Sequence, residues 1–429
     1  MYSKYLCYLA SCLIMLSCQK PHRTELRPFG ADNSDSAKVL ELEEKYPYMR
    51  LITDKAVHLP IREKGSNNAQ DGPTTEELTI KVHYIPLETA EDCLVGGRIH
   101  KLETDDSSIF IFDEDNNQAL RFSQKDGSFM NKYGNSGRGP GEYVEIADMS
   151  LNRQKKEVCL IDFPGCKFLY YDYDGRLLRE EPLYYFYGDQ EFVGEYVVQN
   201  TDRNGNDMAP SVNNKRLVLA KQSDQSPAYV AFPFPENAGK SFGQNVKHPF
   251  ITCNEEVYYN HLLSDTIWQI MPDGTCEAKY VFKFPGRDNL FDDNDFQNMS
   301  GDIYAAKTKE AKCFYRDNIR ITKDFVYAGV QNGEYMLYCI PTGHCRYGML
   351  TQQGFGNYQF MDNLLTLDGK SFVKVLQPFD ILNFVNSMMG SQGKDYFWNH
   401  TLNEEERCLL QTMTPEDNPV LMVIDIEPF

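Results

Sequence analysis

The sequence predicts an all-β chain, a six-bladed β-propeller over residues 78–429, with seven blades as the alternative count. A leader at 1–17 and a polar tether at 18–77 precede it. Three observations predict this fold. Short apolar strands and Asp/Asn/Gly turns recur at near-constant spacing, the pattern of a blade repeat. The chain carries 27 Tyr and 26 Phe, an aromatic share of 13% that favours strands over helices. No long amphipathic helical pattern occurs in the domain apart from the stretch around Gln377–Met389, which disfavours an α/β fold.

The elements follow in chain order. Met1-Tyr2-Ser3-Lys4 carries one positive charge, and Tyr5 to Leu16 is apolar. That run is too short to span a bilayer and suits the core of a signal peptide. It ends Met15-Leu16-Ser17-Cys18, which resembles a bacterial lipobox in which the cysteine is lipidated and becomes the mature N-terminus. Leu9-Ala10-Ser11-Cys12 fits the box letters too, after a shorter apolar run. The expected lipidation site is Cys18. Ser36 to Lys45 could form a short helix stopped by Pro47, and 63–77 reads as a flexible linker. If flexible throughout, a tether of ~60 residues spans about 40–45 Å root-mean-square.

Strands dominate from Leu78. Leu78 to Leu87 alternates with period two, and four strands then fit between Gly97 and Tyr133. They are punctuated by turns at Asp105–Ser107, Asn116-Asn117 and Asp126-Gly127. A second unit runs from Ile146 through Asp174-Gly175 to Leu178. Its Asp-Gly pair lies 48 residues after the first, and Asp273-Gly274 lies 99 residues further on, about two blades. Another copy covers Phe325 to Gly343. The apolar final strand, Pro419 to Ile426, is expected to share a blade with 78–87, because a ring of blades otherwise leaves open edges.

Between the first two units lies Gly137-Arg138-Gly139-Pro140-Gly141-Glu142-Tyr143. Three glycines and a proline in five residues require a tight loop. It is neither a P-loop nor a dinucleotide fingerprint, since no Gly-Lys-Ser/Thr follows and the third glycine is misplaced. Gly137, Gly139, Pro140 and Gly141 are expected to build a rigid connector, with φ > 0 at Gly139 or Gly141. Arg138, Glu142 and Tyr143 are the candidate ligand-binding residues, on the view that they reach the propeller mouth.

Other residue sets say less. A net charge of −19 excludes an ordinary nucleic-acid binder and repels an anionic membrane surface, so membrane attachment has to be covalent. Asp113, Asp115 and Asn117 copy the first ligand positions of a calcium loop, but its glycine and its final glutamate are missing. A solvated turn is the plainer reading. No cofactor is expected beyond weakly bound calcium. Of twelve cysteines, Cys339 with Cys345 and Cys159 with Cys166 could face each other across hairpins, against the plainer reading of buried free thiols. The eight histidines are dispersed, though a propeller could bring some together at its axis.

Ile85-Pro86-Leu87-Glu88-Thr89, the blade ending in Asp126-Gly127, the Gly137–Tyr143 string, Leu263 to Trp268 and Glu416 to Leu421 together make the chain similar to a known family. It resembles the six-bladed, NHL-like β-propeller lipoproteins of Bacteroides-type bacteria. The resemblance covers about residues 78–429 and implies a lipid-anchored protein of the outer membrane or periplasm, with no assigned reaction. The expected function is a non-catalytic binding or scaffold module for a peptide, a glycan or an envelope partner protein. The alternative is a propeller hydrolase or lyase with a metal or carboxylate site in the central funnel. The two are separated by what lines that funnel.

Overall fold

A computed structural model describes residues 25–26, 40–41, 45–61, 78–105, 107–201, 206, 209, 211–234, 248–261, 264–284, 295, 302, 306, 315–330, 335–348 and 364–429. Six antiparallel sheets stand in a ring, each with an inner strand on the central channel. The inner strands are Ile99–Asp105, Ile146–Asn152, Asp189–Val193, Phe250–Cys253, Tyr315–Ile321 and Leu365–Leu367, for blades 1 to 6. Each touches the next, and the sixth touches the first.

The order within a blade follows the sequence pattern. In blade 1, Ile99–Asp105 pairs with Ser108–Asp113, that with Gln118–Ser123, and that with Phe129–Tyr133. The three Asp-Gly turns each join the third and fourth strands, in blades 1, 2 and 4. Blade 6 is closed by both ends of the domain. Val420–Ile426 is its third strand and Ile80–Pro86 its fourth, in register from Val420 opposite Pro86 to Ile426 opposite Ile80. This is the closure expected from the apolar last strand.

The hydrophobic core is divided into six clusters, one between each pair of neighbouring blades. The blade 1–2 cluster holds Phe110, Tyr133, Tyr143, Met149 and Tyr171, all at most 2% exposed. Aromatic side chains fill these wedge-shaped gaps, which is where the Tyr and Phe content goes.

Helices Pro378–Gln392 and Glu404–Thr412 sit in the connection between the second and third strands of blade 6. The first starts with proline at its first turn, and the second with an Asn403–Glu406 capping box. Glu406 and Glu405 accept hydrogen bonds from the Tyr84 hydroxyl (2.6 Å) and the Tyr84 amide (2.9 Å), tying this helix to blade 6.

Part of the segment expected as tether is packed on the propeller. Arg50–Ile52 and Val57–Pro60 pair in parallel with Thr275–Lys283, the outer strand of blade 4. Just ahead of this strap, the Met49 amide donates to the Val230 carbonyl of blade 3 and the Val230 amide donates to the Pro47 carbonyl, while Leu59 and Ile61 are buried. The strap satisfies a sheet edge that would otherwise expose unpaired amides. Within the stretch 36–45 expected as a possible short helix, Leu40–Glu41 is a short strand paired with Glu25–Leu26, and 36–39 and 42–44 lie outside the described residues.

Candidate functional site

The inner strands of blades 1 to 3 put charge into the channel. Lys101 of blade 1 is 13% exposed, and its ammonium lies 2.6 Å from Glu191 Oε1 of blade 3 and 3.3 Å from Asp148 Oδ1 of blade 2. Glu103 Oε1, on the same strand, is 3.9 Å away. Glu103 Oε2 accepts from Arg153 Nη2 at 2.5 Å, and Arg153 Nε donates to the Thr104 carbonyl. The main-chain amide of Gln190 donates to Asp148 Oδ2 at 3.0 Å. Three carboxylates therefore share one ammonium, and a guanidinium caps the row.

Electrostatics follow from burial. Burial opposes the Lys101 charge, but Asp148, Glu191 and Glu103 outweigh it and hold its pKa above the ordinary value. Burial, with Glu103 beside it, pushes Glu191 up to about 8 against the pull of Lys101. Burial likewise holds Asp148 above the usual carboxylate range. Glu191 Oε2 is buried without a hydrogen-bond partner among the described residues. An uncompensated buried oxygen costs free energy, so this arrangement is not what stability alone would select.

Two adjoining clefts of about 290 Å³ each open at the end where the inner strands turn into the second strands. Arg153, Thr252 and Glu255 line both. One is polar, with Glu103, Asp105, Asp368 and Lys370. The other is more apolar, with Phe192, Val257, Ile270, Met271 and Pro272. Between them stands the hairpin Cys253–Glu256, in which Asn254 and Glu255 have φ of 49° and 65°. Such a turn favours glycine at its second position. An exposed glutamate held there is strained by on the order of 1–2 kcal/mol.

At the opposite mouth, where the inner strands begin, His100, Asp148 and Asp189 approach one another, each offering a ligand atom within 4.8 Å of the others. His248, from the start of blade 4, meets His100 with ring centroids 5.5 Å apart. This is the convergence of dispersed histidines that a ring of blades permits.

The residues singled out from the sequence lie elsewhere. The Gly137–Tyr143 loop packs on the outer strands of blade 2. Gly141 N–H donates to Glu180, Tyr171 donates to the Gly141 carbonyl, and Gly141 lies against Leu177. Gly141 takes φ +71°, and a Cβ at Gly137 would strike Glu142 Oε2 at 1.9 Å. Glu142 caps the Gly139 amide, and Tyr143 is fully buried. Pro140 and Arg138 are exposed, and Arg138 forms no hydrogen bond or ion pair with the described residues. The string therefore has the geometry of a connector, with Arg138 as its one exposed charged residue. Asp113 accepts from the amides of Gly96, Asp115 and Asn116 and from the side chains of Asn116 and Gln118. Asp115 pairs with Arg98, and Asn117 binds Val144 and Ile146. All three side chains therefore have hydrogen-bond partners within the protein. Cys159, Cys166, Cys339 and Cys345 are all free thiols, so neither candidate bridge is present. Cys18 lies outside the described residues.

Sequence reading missed Lys101, Glu103, Asp148, Arg153, Asp189 and Glu191. The available signal was the charge breaking the apolar alternation at the first strand of three successive blade units.

The chain belongs to the family described as Domain of unknown function (DUF4934), which it matches over residues 60–425. It is similar in structure to a "Putative exported protein" of Bacteroides fragilis, at 17% identity and a TM-score of 0.64, over 86% of this chain and 100% of that one. It also matches a member of the duf4221 family from Bacteroides vulgatus, at 9% identity and a TM-score of 0.44, over 82% and 99%. No curated protein matches.

Proposed function

We propose that this protein is an exported, lipid-anchored binding module that receives a basic, partly apolar peptide segment in the twin clefts. The observation that carries the reading is the strained Glu255 turn standing between a polar, acid-rich cleft and an apolar one. Glu255 and Asp368 offer carboxylates to a lysine or arginine, while Phe192, Ile270 and Met271 offer a surface to its apolar neighbour. The surplus of negative charge, −19 over the chain, would steer a cationic ligand inward. The similarity to an exported Bacteroides protein and the lipobox-like run ending at Cys18 support the compartment. Cys18 lies 28 positions before Tyr46, the first buried residue ahead of the strap, which limits the reach from the membrane to about 95 Å.

The test is calorimetric titration of the full-length protein in detergent with short peptides, basic–apolar against acidic–apolar. Saturable binding of the basic peptide alone is expected, lost in Glu255→Lys. Equal binding of both peptides, or an unchanged Glu255→Lys protein, would sink the reading. The second reading, a hydrolase or lyase, has one observation in its favour, the histidine–aspartate group at the far mouth. Turnover of the bound peptide into fragments would favour it over simple binding.

A further inference from the structure

We infer that His100, Asp148 and Asp189 form a binding site for one divalent transition-metal cation of the zinc or manganese kind, at the channel mouth opposite the twin clefts. The three donors come from three consecutive blades and stand within 4.8 Å of one another, a separation one ion can bridge. One imidazole nitrogen with two carboxylates suits a first-row divalent ion better than calcium or magnesium, which favour oxygen alone.

The backbone is bent to make this approach. The inner strand of blade 1 has a register shift between Ile99 and Lys101, which leaves His100 as the extra residue. The inner strand of blade 2 has the same shift between Ile146 and Asp148. Bulges at equivalent positions in adjacent blades re-aim the side chains beside them, and such bulges concentrate at functional sites. Phe112 lies 5.1 Å from the His100 ring, with His248 edge-on at 5.5 Å, so the ring is held on two sides. Asp148 is fully buried and oriented by Gln190 and Lys101, the outer support that metal ligands require. Each carboxylate oxygen has a second lone pair, so these bonds leave room for a metal. Two residues on from Asp189 in the same strand, Glu191 holds the Lys101 ammonium at 2.6 Å, closer than Asp148 does at 3.3 Å. Waters or a ligand would complete the coordination.

The site is independent of the peptide clefts, and its test uses metal alone. The full-length protein in detergent is stripped with a chelator and titrated with Mn²⁺, the free ion being followed by electron paramagnetic resonance. Manganese is the probe because the free thiols prefer softer ions. One saturable site is expected, weakened about 10–100-fold or more in His100→Gln and in Asp189→Asn. The melting temperatures of the metal-free variants should stay at the parent value. If His100→Gln fails to fold, Asp189→Asn carries the test alone. Absence of saturable binding, or parent affinity in the folded variants, overturns the inference.

Discussion

The inner strands of blades 1–3 and those of blades 4–6 occupy equivalent positions in one ring, yet carry different side chains. The first three present His100, Lys101, Glu103, Asp148, Asp189 and Glu191. Among the described side chains of the other three, Arg320 is the single charge, beside Phe250, Ile251, Thr252, Ile319, Ile321, Leu365 and Leu367. Since, Arg320 apart, the described side chains of blades 4–6 complete the ring while apolar or neutral, the fold does not demand a cluster of charges on the other side. The charged half is where a role beyond folding should be sought.

The largest effect should come from removing the central cation of the charged half. Lys101→Met leaves Glu191, Asp148 and Glu103 facing one another without their shared partner. A loss of about 3–5 kcal/mol is expected at pH 8, read from urea unfolding. Arg320→Met is the mirror experiment. Arg320 is buried, donates to the Ile319 carbonyl, and pairs with no carboxylate among the described residues; burial lowers its pKa to about 10. Its replacement should be neutral or stabilising. Equal losses at both positions would erase the distinction between the halves.

A pH series sharpens it. Glu191 has a folded pKa raised to about 8, so the folded state holds a proton that the unfolded chain releases near pH 4.5. Its contribution is fully present below that lower value and is lost as pH rises through about 8. Stability of the parent should therefore fall between pH 5 and pH 8, with Glu103 and Asp148 adding to the repulsion and Lys101 opposing it. In Glu191→Gln the profile should be flatter over the same range. An identical profile would place the titrating group elsewhere.

The smallest effect concerns the half formed by blades 4–6. Glu255→Gly relieves a left-handed glutamate in the blade 4 hairpin and should stabilise the protein by about 0.5–1 kcal/mol in thermal unfolding. The same change should weaken peptide binding. A destabilised variant would mean that the turn is not strained.

The blades were legible because their signals are local. Asp126-Gly127, Asp174-Gly175 and Asp273-Gly274 each set a hairpin within a few residues, and the last strand is apolar along most of its length. The channel was not legible. Alternation along Ile99 to Asp105 assigns faces only if the register is unbroken, and the extra residue His100 breaks it. The partners of Lys101 lie 47 and 90 residues away in sequence, and no spacing rule connects them. The strap was missed for a related reason: Val57-His58-Leu59-Pro60 is a short run whose partner strand begins more than 200 residues later. The glycine string drew attention through its composition, yet its bonds place it at the side of blade 2.

The closure of blade 6 also sets a clock. Pro86 meets Val420 in the same sheet, so the strand at 80–86 must wait for about 330 further residues before its partner exists. At ~5–20 residues per second of synthesis, that is roughly 20–70 s during which an apolar strand lacks its neighbour. Whatever keeps the nascent chain from aggregating has to act over that interval, and the ring can lock only when the last dozen residues arrive.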